Sequence, residues 1–388
     1  MTEMTELYLF PGLPKLLSEN DMGYVAVSGG RESIDNAENF FNFRRIKGSK
    51  ATIEIEKIRN EFHFLVDRVM GEGSLYAPDL AALAVKQSAG DTFEAAFMLR
   101  SYRTTLPRLG YSQVSKTGDM RIIRRISSAF KEIPGGQLLG PTADYSLRLL
   151  DFALFDEDEE CVKDMIREIF KNVKTEGEMP DNFPKVVEML RRENLIVTEF
   201  DTTEKENECF DITRESLEFP ARRSAVMQTM ARGETGGMLA LAYSNMRGYG
   251  SSHPTIGELR VGYMPVYVNH PYNRTPYYAG ELLVTEAEII SEIVSEGDSP
   301  KFALGYGLCF GHNETKAISM ATLDRAMQTK SPKYPSEDQE FVMYHIDGIE
   351  SMGFANHFKL PHYVTFQSSL DRLRNMKERR QGEEDNGI

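Results

Sequence analysis

Cysteine is scarce in this sequence, and the few cysteines present are poorly placed for disulfide or cluster chemistry. The 388 residues include three, Cys161, Cys209 and Cys309, which are far apart and odd in number. This usage predicts a reducing compartment and no disulfide framework. Because no Cys-x-x-Cys pair occurs, we do not expect a zinc ribbon or an iron–sulfur cluster held by this chain alone.

Long hydrophobic runs and excess positive charge are also missing. No apolar run reaches the roughly 18 residues of a transmembrane helix, and no secretory signal stands at the N-terminus. Lys and Arg number 45 against 59 Asp and Glu, a net charge of −14. Such a chain is a poor general binder of nucleic acid. We therefore expect a cytoplasmic protein that contacts neither nucleic acid nor membrane, although local arginines could still bind a small anion.

The hydrophobic periodicity that is present predicts an α+β protein. It indicates a helix-rich N-terminal half, and a mixed, partly antiparallel sheet with helices in the C-terminal half. The length allows two or three domains. We predict an extra N-terminal tail over residues 1–21, a mainly helical domain over 22–155, an acidic variable connection over 156–210, and an α+β domain over 211–388.

Several elements can be placed along the chain from turn residues and apolar spacing. Gly305–Gly311 has apolar residues between its glycines, which favours a buried strand over a phosphate-binding loop. The other predicted elements are helices at 55–69, from Pro78, 221–232, 238–247, from about Asn313 to Met327, 337–351 and 363–380, and strands at 258–268 and 280–284.

Positive charge is concentrated between positions 121 and 131, at Arg121, Arg124, Arg125 and Lys131. If this segment is helical, its three arginines share a face and could grip a polyphosphate. A glycine-rich loop over 135–142 follows, whose N–H groups could approach an anion, although it lacks the Walker A spacing. The alternative is a solvated basic face that balances an acidic chain.

A second polar, glycine-rich loop spans residues 247–254. His253 lies within it, and Glu258 and Arg260 follow shortly after. A histidine, a carboxylate and a guanidinium beside flexible backbone suit the rim of a pocket. A surface turn has the same composition, so both interpretations stay open.

Two histidines, His357 and His362, stand five residues apart with Pro361 between them. Proline disfavours a continuous helix here, so we expect His357 to end one element and His362 to open the next. Such a break can point both imidazoles into one cleft, which makes half of a zinc site. The alternative is one histidine that caps a helix and another on the surface.

Taken together, these segments resemble the PhnI family of the bacterial carbon–phosphorus lyase system, which handles methylphosphonate and related phosphonates. The likeness runs from Met22 to about Leu373, and departs at residues 1–21 and 156–210. It is carried by Leu65-Val66-Asp67-Arg68-Val69-Met70, Leu99-Arg100-Ser101-Tyr102-Arg103-Thr104-Thr105-Leu106, Arg124-Arg125-Ile126-Ser127, residues 133–142, residues 239–244, Arg247-Gly248-Tyr249-Gly250, Gly305-Tyr306-Gly307-Leu308 and Lys359-Leu360-Pro361-His362-Tyr363-Val364.

The resemblance implies an enzyme subunit that acts on ATP or GTP with its Mg²⁺. With companion subunits PhnG, PhnH and PhnL, such a protein replaces the purine at ribose C1′ by methylphosphonate, which gives ribose 1-methylphosphonate 5-triphosphate. Alone it acts as a nucleosidase, with water as the nucleophile. The resemblance also implies a zinc ion on the histidine pair, His357 and His362, near PhnJ, the radical subunit that later breaks the carbon–phosphorus bond.

The implied chemistry requires particular groups. Loss of the purine builds a cation on the ribose and negative charge on the base, so a carboxylate and a proton donor would help. From the sequence we assign the carboxylate to Glu258 or Asp144, the acid or anion contact to His253, and anion binding to Arg121, Arg124, Arg125 and Lys131. The alternative is a non-catalytic scaffold that assembles the complex and completes a zinc-containing pocket for PhnJ.

Overall fold

The structure, a computed structural model, describes residues 30–48, 51–172, 183–197, 209–250, 254–296, 299–359 and 363–385. The chain divides into a larger unit over Ile55–Ile349 and a smaller unit made of Met1–Glu54 and Glu350–Ile388. The predicted tail over residues 1–21 lies outside the described residues. The four predicted domains stay a prediction.

The described elements confirm the α+β class. The strands are β1 (Arg121–Ile126), β2 (Thr255–Asn269), β3 (Pro276–Glu296) and β4 (Ser299–Phe310). The helices are α1 (Arg31–Ile46), α2 (Ile55–Glu61), α3 (His63–Gly73), α4 (Pro78–Gln87), α5 (Thr92–Thr105), α6 (Glu159–Asn172), α7 (Val186–Arg192), α8 (Arg223–Arg232), α9 (Thr235–Met246), α10 (Glu314–Ala326), α11 (Gln339–His345), α12 (Gly348–His357) and α13 (Tyr363–Asp385).

The helix starts agree with the local signals in the sequence. Pro78 occupies the first turn of α4, where its missing N–H is not needed. The carboxylate of Asp91 accepts a hydrogen bond from the N–H of Glu94 and so caps α5. Glu234 caps α9 in the same way, through the N–H groups of Gly236 and Gly237. The Glu234 cap explains why α8 and α9 are separate helices, as predicted.

The four strands form one sheet in the order β1-β2-β3-β4, and each neighbouring pair is antiparallel. Strands β2 and β3 are long, and their register shifts near Ile256 and Val266. The sequence left open a helix over 121–131. That interpretation is wrong, because residues 121–126 form the edge strand β1. This strand pairs with β2, so that Arg124 stands opposite Val261 and Arg125 opposite Arg260.

One face of the sheet carries the main hydrophobic core. Helix α10 packs there, and Leu259, Ala287 and Ile289 meet Met320 and other apolar side chains of the helix. Gly305 and Gly307 permit this approach, because a Cβ on either would lie 2.1 or 2.2 Å from a carbonyl oxygen of α10. The predicted buried strand at Gly305–Gly311 is therefore confirmed by β4.

A second core joins the helices at the start of the larger unit. Helices α2, α3, α4 and α5 bury a cluster that includes Val66, Val69, Met70 and Leu99. In the smaller unit, α1 buries none of its described residues. No helix in the described ranges is both long and apolar enough to cross a membrane.

Candidate functional site

Strand β1 sends its two adjacent arginines to opposite faces of the sheet, because side chains alternate along a strand. Arg124 lies on the face that packs against α10, where its guanidinium meets Glu314. Arg125 lies on the other face, where it meets Glu258. Both arginines are fully buried. The two arginines therefore do not share one face, as they would on a helix, and each has its own set of contacts.

Arg125 is held by groups of the protein on every side. Its Nε donates to Glu258 Oε1 at 2.5 Å, and its terminal nitrogens donate to the carbonyl oxygens of Pro134, Gly136 and Pro184. Glu258 also contacts Arg260 at 2.9 Å and accepts from the N–H of Val186. Because these groups are buried and mutually bonded, their contacts stabilise the glycine-rich loop and the start of α7 against the sheet.

Further charges extend this arrangement, which we call the charged sheet face: Arg125, Lys185, Glu258, Arg260, Glu286, Glu288 and Tyr306. The amine of Lys185 lies 2.6 Å from Glu286 and 3.1 Å from Glu288, and the Tyr306 hydroxyl donates to Glu286. Burial raises the pKa of Glu288 to about 7, although Lys185 opposes the shift. Burial also raises the pKa of Tyr306.

On the α10 side, Arg124 is the centre of a second group of polar residues. Its Nη2 donates to Asp144 Oδ2 at 2.5 Å, and its Nε lies 2.6 Å from Glu314 Oε1. A further hydrogen bond goes to the carbonyl of Leu139. Gly140 makes room for this turn, since its φ is +61° and a Cβ there would lie 2.4 Å from the carbonyl oxygen of Ile123.

Glu314 links Arg124 to His312, at the junction of β4 and α10. His312 Nε2 lies 2.7 Å from Glu314 Oε1, and the His312 backbone N–H donates to Asp67 Oδ2 at 2.9 Å. Burial raises the pKa of Asp67, an effect that this hydrogen bond and the nearby histidines oppose. We call these five residues, Asp67, Arg124, Asp144, His312 and Glu314, the Arg124 cluster.

The junction that presents His312 and Glu314 is fixed by its neighbours. Gly311 has φ +74°, and a Cβ there would lie 2.4 Å from the side chain of Asp67. The Thr285 hydroxyl donates to the Gly311 carbonyl and accepts from the Asn313 N–H. Glu314 occupies the first turn of α10, where the helix dipole favours a carboxylate.

The Arg124 cluster is partly open to solvent, unlike the charged sheet face. The Asp144 side chain is 45% exposed and that of Glu314 is 21% exposed, whereas that of Glu258 is 1% exposed. Two carboxylates on one buried guanidinium, beside a histidine, can stabilise a developing cation and transfer a proton. This combination makes the Arg124 cluster the candidate active site.

The remaining predicted residues occupy separate positions. Arg121 is exposed on β1, with its guanidinium 2.7 Å from Glu281 and 4.4 Å from the centre of the Tyr263 ring. Lys131 is exposed in the loop after β1. His253 lies outside the described residues. The structure thus pairs Asp144 with Arg124, and Glu258 with Arg125, and it separates these two pairs by the sheet.

The histidine pair lies in the smaller unit and is described in part. Helix α12 ends at His357, as predicted. His357 Nδ1 bonds to the backbone carbonyl of Phe354, and such a bond fixes the tautomer with which histidines bind a metal through Nε2. His357 therefore fits the role of a zinc ligand. His362 lies outside the described residues, and within them no three His, Cys, Asp or Glu side chains form a metal-sized group.

The sequence interpretation did not place His312, Glu314 or Asp67 in the site. The run Gly311-His312-Asn313-Glu314 stands between a buried strand and a helix, and polar residues at such junctions are typical of functional sites. The place of these polar residues between a strand and a helix was therefore the feature of the sequence that could have indicated the site. Its partner Arg124 is 190 positions away in sequence, so spacing alone could not connect the two.

Comparison with known proteins identifies the family. The profile of the bacterial phosphonate metabolism protein PhnI matches residues 23–380. HtxH of Stutzerimonas stutzeri, provisionally named a C–P lyase subunit protein, is 53% identical over 367 residues, which cover 92% of this chain and 97% of HtxH.

Two further relatives carry the name alpha-D-ribose 1-methylphosphonate 5-triphosphate synthase subunit PhnI. The protein of Rhizobium meliloti (strain 1021) is 43% identical and covers 91% of this chain and 95% of its own length. The protein of Escherichia coli (strain K12) is 42% identical, and the match covers 92% of this chain and 98% of that protein. Because the match spans nearly the whole chain, this chain belongs to the PhnI family of bacterial phosphonate metabolism proteins.

Proposed function

We propose that this chain is a subunit of alpha-D-ribose 1-methylphosphonate 5-triphosphate synthase, in which it displaces the purine of ATP or GTP by methylphosphonate. The names of two relatives support the reaction. The observation that carries the proposal is the Arg124 cluster, where two partly exposed carboxylates meet one buried guanidinium and one of them also contacts a histidine. Without a phosphonate, water takes its place, and the chain acts as a purine nucleosidase.

The product name of the relatives supports inversion at ribose C1′ in the proposed reaction. ATP and GTP are β-nucleotides, and the relatives' product is an α-riboside. A single displacement inverts C1′, so it converts one into the other without a covalent ribosyl enzyme. In this proposal Asp144 and Glu314 act as charges beside the cation, and neither is a nucleophile.

The positive charges divide into two roles. Arg124 and Arg125 are buried and already bonded to carboxylates and carbonyls, so they position Asp144, Glu314 and the glycine-rich loop. Arg121 and Lys131 are exposed and serve as contacts for the triphosphate and its Mg²⁺. Glu258, enclosed by Arg125 and Arg260, serves the fold.

The proposal includes a zinc ion and companion subunits. His357 would hold the zinc with His362, and the metal would supply a Lewis acid to a neighbouring subunit. PhnG, PhnH and PhnL would direct the reaction from water to phosphonate, and PhnJ would use the product. These partners agree with the word subunit in the relatives' names.

A second candidate function, a non-catalytic scaffold, is favoured by a separate observation. Residues 145–170 expose an unusual number of apolar side chains, and α6 within them is strongly amphipathic. Such a surface is typical of a contact with another protein. The exposed side chains are Tyr145, Leu147, Leu149, Leu150, Phe152, Leu154, Phe155, Met165, Ile166, Ile169 and Phe170.

The release of free purine distinguishes the two functions. We expect the purified chain to release adenine or guanine from MgATP or MgGTP, and to form the phosphonate product when PhnG, PhnH, PhnL and methylphosphonate are added. Asp144→Asn should lower kcat for purine release on the order of 100-fold, because a charge beside the cation is lost.

The matched control is Asp79→Asn, an exposed carboxylate on α4 that pairs with Arg59 and should leave the rate unchanged. Chromatographic quantification of the free base, with circular dichroism of each variant, measures both effects. If the folded chain releases no purine, and the complete mixture works equally well with Asp144→Asn, the scaffold function replaces the enzyme.

A further inference from the structure

An exposed aromatic ring lies beside the histidine of the Arg124 cluster. Phe64, on the first turn of α3, is 53% exposed. Its ring centre lies 5.1 Å from that of His312 and 4.3 Å from that of His63. Phe64 does not belong to the hydrophobic core that α2–α5 form. The fold of this unit therefore does not account for a phenylalanine at this position.

His312 is the one buried histidine among the described residues. Its Nε2 is engaged by Glu314, and its backbone is fixed by Asp67. Among the described residues, no hydrogen bond reaches its Nδ1. When Glu314 accepts the Nε2 proton, Nδ1 is the nitrogen that can carry and deliver a second proton. Glu314 thus sets both the ring orientation and the nitrogen that reacts.

We propose that Phe64 and His312 form the subsite for the leaving purine, in which His312, oriented by Glu314, supplies the proton that the departing base takes up. The inference rests on the proposed function and deepens it, because it names the groups that act on the base. A purine is a flat aromatic ring system, and it stacks on an exposed phenylalanine irrespective of its substituents. Adenine and guanine would therefore both be accepted.

The contacts form a continuous path from the base to the ribose. Phe64 touches His312, His312 bonds to Glu314, Glu314 meets Arg124, and Arg124 holds Asp144. With the purine on Phe64, the two carboxylates lie farther along this path, toward the ribose. The order of groups thus matches the order of parts in a nucleotide.

The chemical step balances with these groups alone. The C1′–N9 bond breaks, and its electron pair stays on the purine. The imidazolium of His312 gives its Nδ1 proton to a ring nitrogen of the purine, which leaves as the neutral base. An oxygen of the phosphonate dianion supplies the electron pair of the new C1′–O bond. Neutral His312 then takes a proton from solvent before the next turnover.

A nucleotide whose base needs no proton tests this role. The purine of 7-methylguanosine triphosphate is already positively charged, so it leaves without an acid. We expect His312→Gln in the full chain to lose about 100-fold or more in kcat for MgGTP. The same variant should keep nearly the wild-type rate with the methylated nucleotide. His345→Gln, an exposed histidine on α11, is the matched control and should change neither rate.

The outcomes separate the inference from the proposed function. An equal loss on both nucleotides would mean that His312 only supports the structure, and no loss on GTP would mean that it takes no part. Either result overturns the inference while purine release by the wild type stands. If wild-type protein with its companion subunits releases no purine from either nucleotide, the proposed function itself fails.

The stacking contact has a test that does not depend on turnover. The sequence contains no tryptophan, so Phe64→Trp introduces a single fluorophore that can still stack. MgGTP should quench its emission with saturation, and Phe64→Ala should raise KM by about 5- to 100-fold. Phe170→Trp, on the exposed face of α6, is the control and should not respond. Absence of quenching, or a response to companion subunits alone, would overturn the aromatic subsite.

Discussion

At the scale of single residues, burial has a larger effect than charge pairing on the side chains of the sheet. Glu288 lies 3.1 Å from Lys185, yet burial raises its pKa to about 7, and the like charges of Glu286 and Glu258 add to the effect. An ion pair in the interior recovers its desolvation cost only when its partners are sufficient. Here Arg125 and Arg260 both pair with Glu258, so Glu286 and Glu288 share the single charge of Lys185.

This shift gives a pH dependence of stability with a definite sign. Between pH 4.5, the ordinary value, and about 7, the folded protein keeps a proton on Glu288 that the unfolded chain releases. The free energy of unfolding should therefore fall as pH rises through that window, by up to about 1.4 kcal/mol per pH unit. Above pH 7 the contribution of Glu288 should be constant.

Comparison with Glu288→Gln isolates this group, because the amide does not titrate and the other groups cancel. Urea unfolding of both proteins at pH 5, 6, 7 and 8 gives the difference in the free energy of unfolding. The wild type should lose stability relative to the variant between pH 5 and 7. A difference independent of pH would show that Glu288 is ionised throughout.

At the scale of elements, the close approach of α10 to β4 places Glu314 within reach of Arg124. The approach requires residues without a side chain at Gly305 and Gly307, because carbonyl oxygens of Ala321 and Ala317 lie where a Cβ would be. The sheet and helix can therefore contact at backbone distance. The position of the Arg124 cluster depends on this contact.

Gly307→Ala should displace α10 and so affect both stability and activity. A Cβ there would lie 2.2 Å from the Ala317 carbonyl oxygen, and overpacking of this kind costs about 1–3 kcal/mol. Thermal unfolding should show a lower Tm, and purine release should fall because Glu314 moves away from Arg124. Gly110→Ala, where a Cβ meets nothing within 4 Å, is the control, and equal behaviour of the two variants would contradict the argument.

Most elements were predictable from the sequence because their signals are local. Pro78, Asp91 and Gly233 mark helix ends through the hydrogen bonds and backbone angles of a few neighbouring residues. Strand β1 was not predictable in this way. Two of its three buried positions hold Arg124 and Arg125, and only Ile122 is apolar. The regular apolar alternation that indicates a strand is therefore absent, and partners distant in sequence determine the fold there.

At the scale of the whole molecule, the family match identifies the reaction, whereas the candidate site was identified from tertiary contacts. Asp144 was predicted as a site residue from its place after a glycine-rich turn, and the structure pairs it with Arg124; its catalytic role stays a prediction. Glu258 was an equal candidate in sequence, and only burial distinguishes the two. Sequence spacing carries no information on exposure, which is what decides whether a carboxylate can meet a substrate.

The zinc proposal concerns the assembled complex. His357→Ala should remove zinc from the complex of this chain with its companion subunits, as measured by metal analysis, because one of two imidazole ligands is lost. Cleavage of the carbon–phosphorus bond should fall with the metal, and purine release should continue. His345→Gln again serves as the control. Unchanged zinc content, or loss of purine release from a folded variant, would contradict this division of roles.

Adjacent arginines on β1 also determine how the edge strand can pair. Arg124 finds carboxylates only on the α10 side, and Arg125 finds Glu258 and three carbonyl groups only on the other. A one-residue shift in the register of β1 would send each arginine to the opposite face of the sheet. Both guanidinium groups would then lie in the interior without their partners. Such a shift would cost about 3–5 kcal/mol for each unpaired charge. The strand that is hardest to recognise in the sequence is thus confined to a single alignment by its charges.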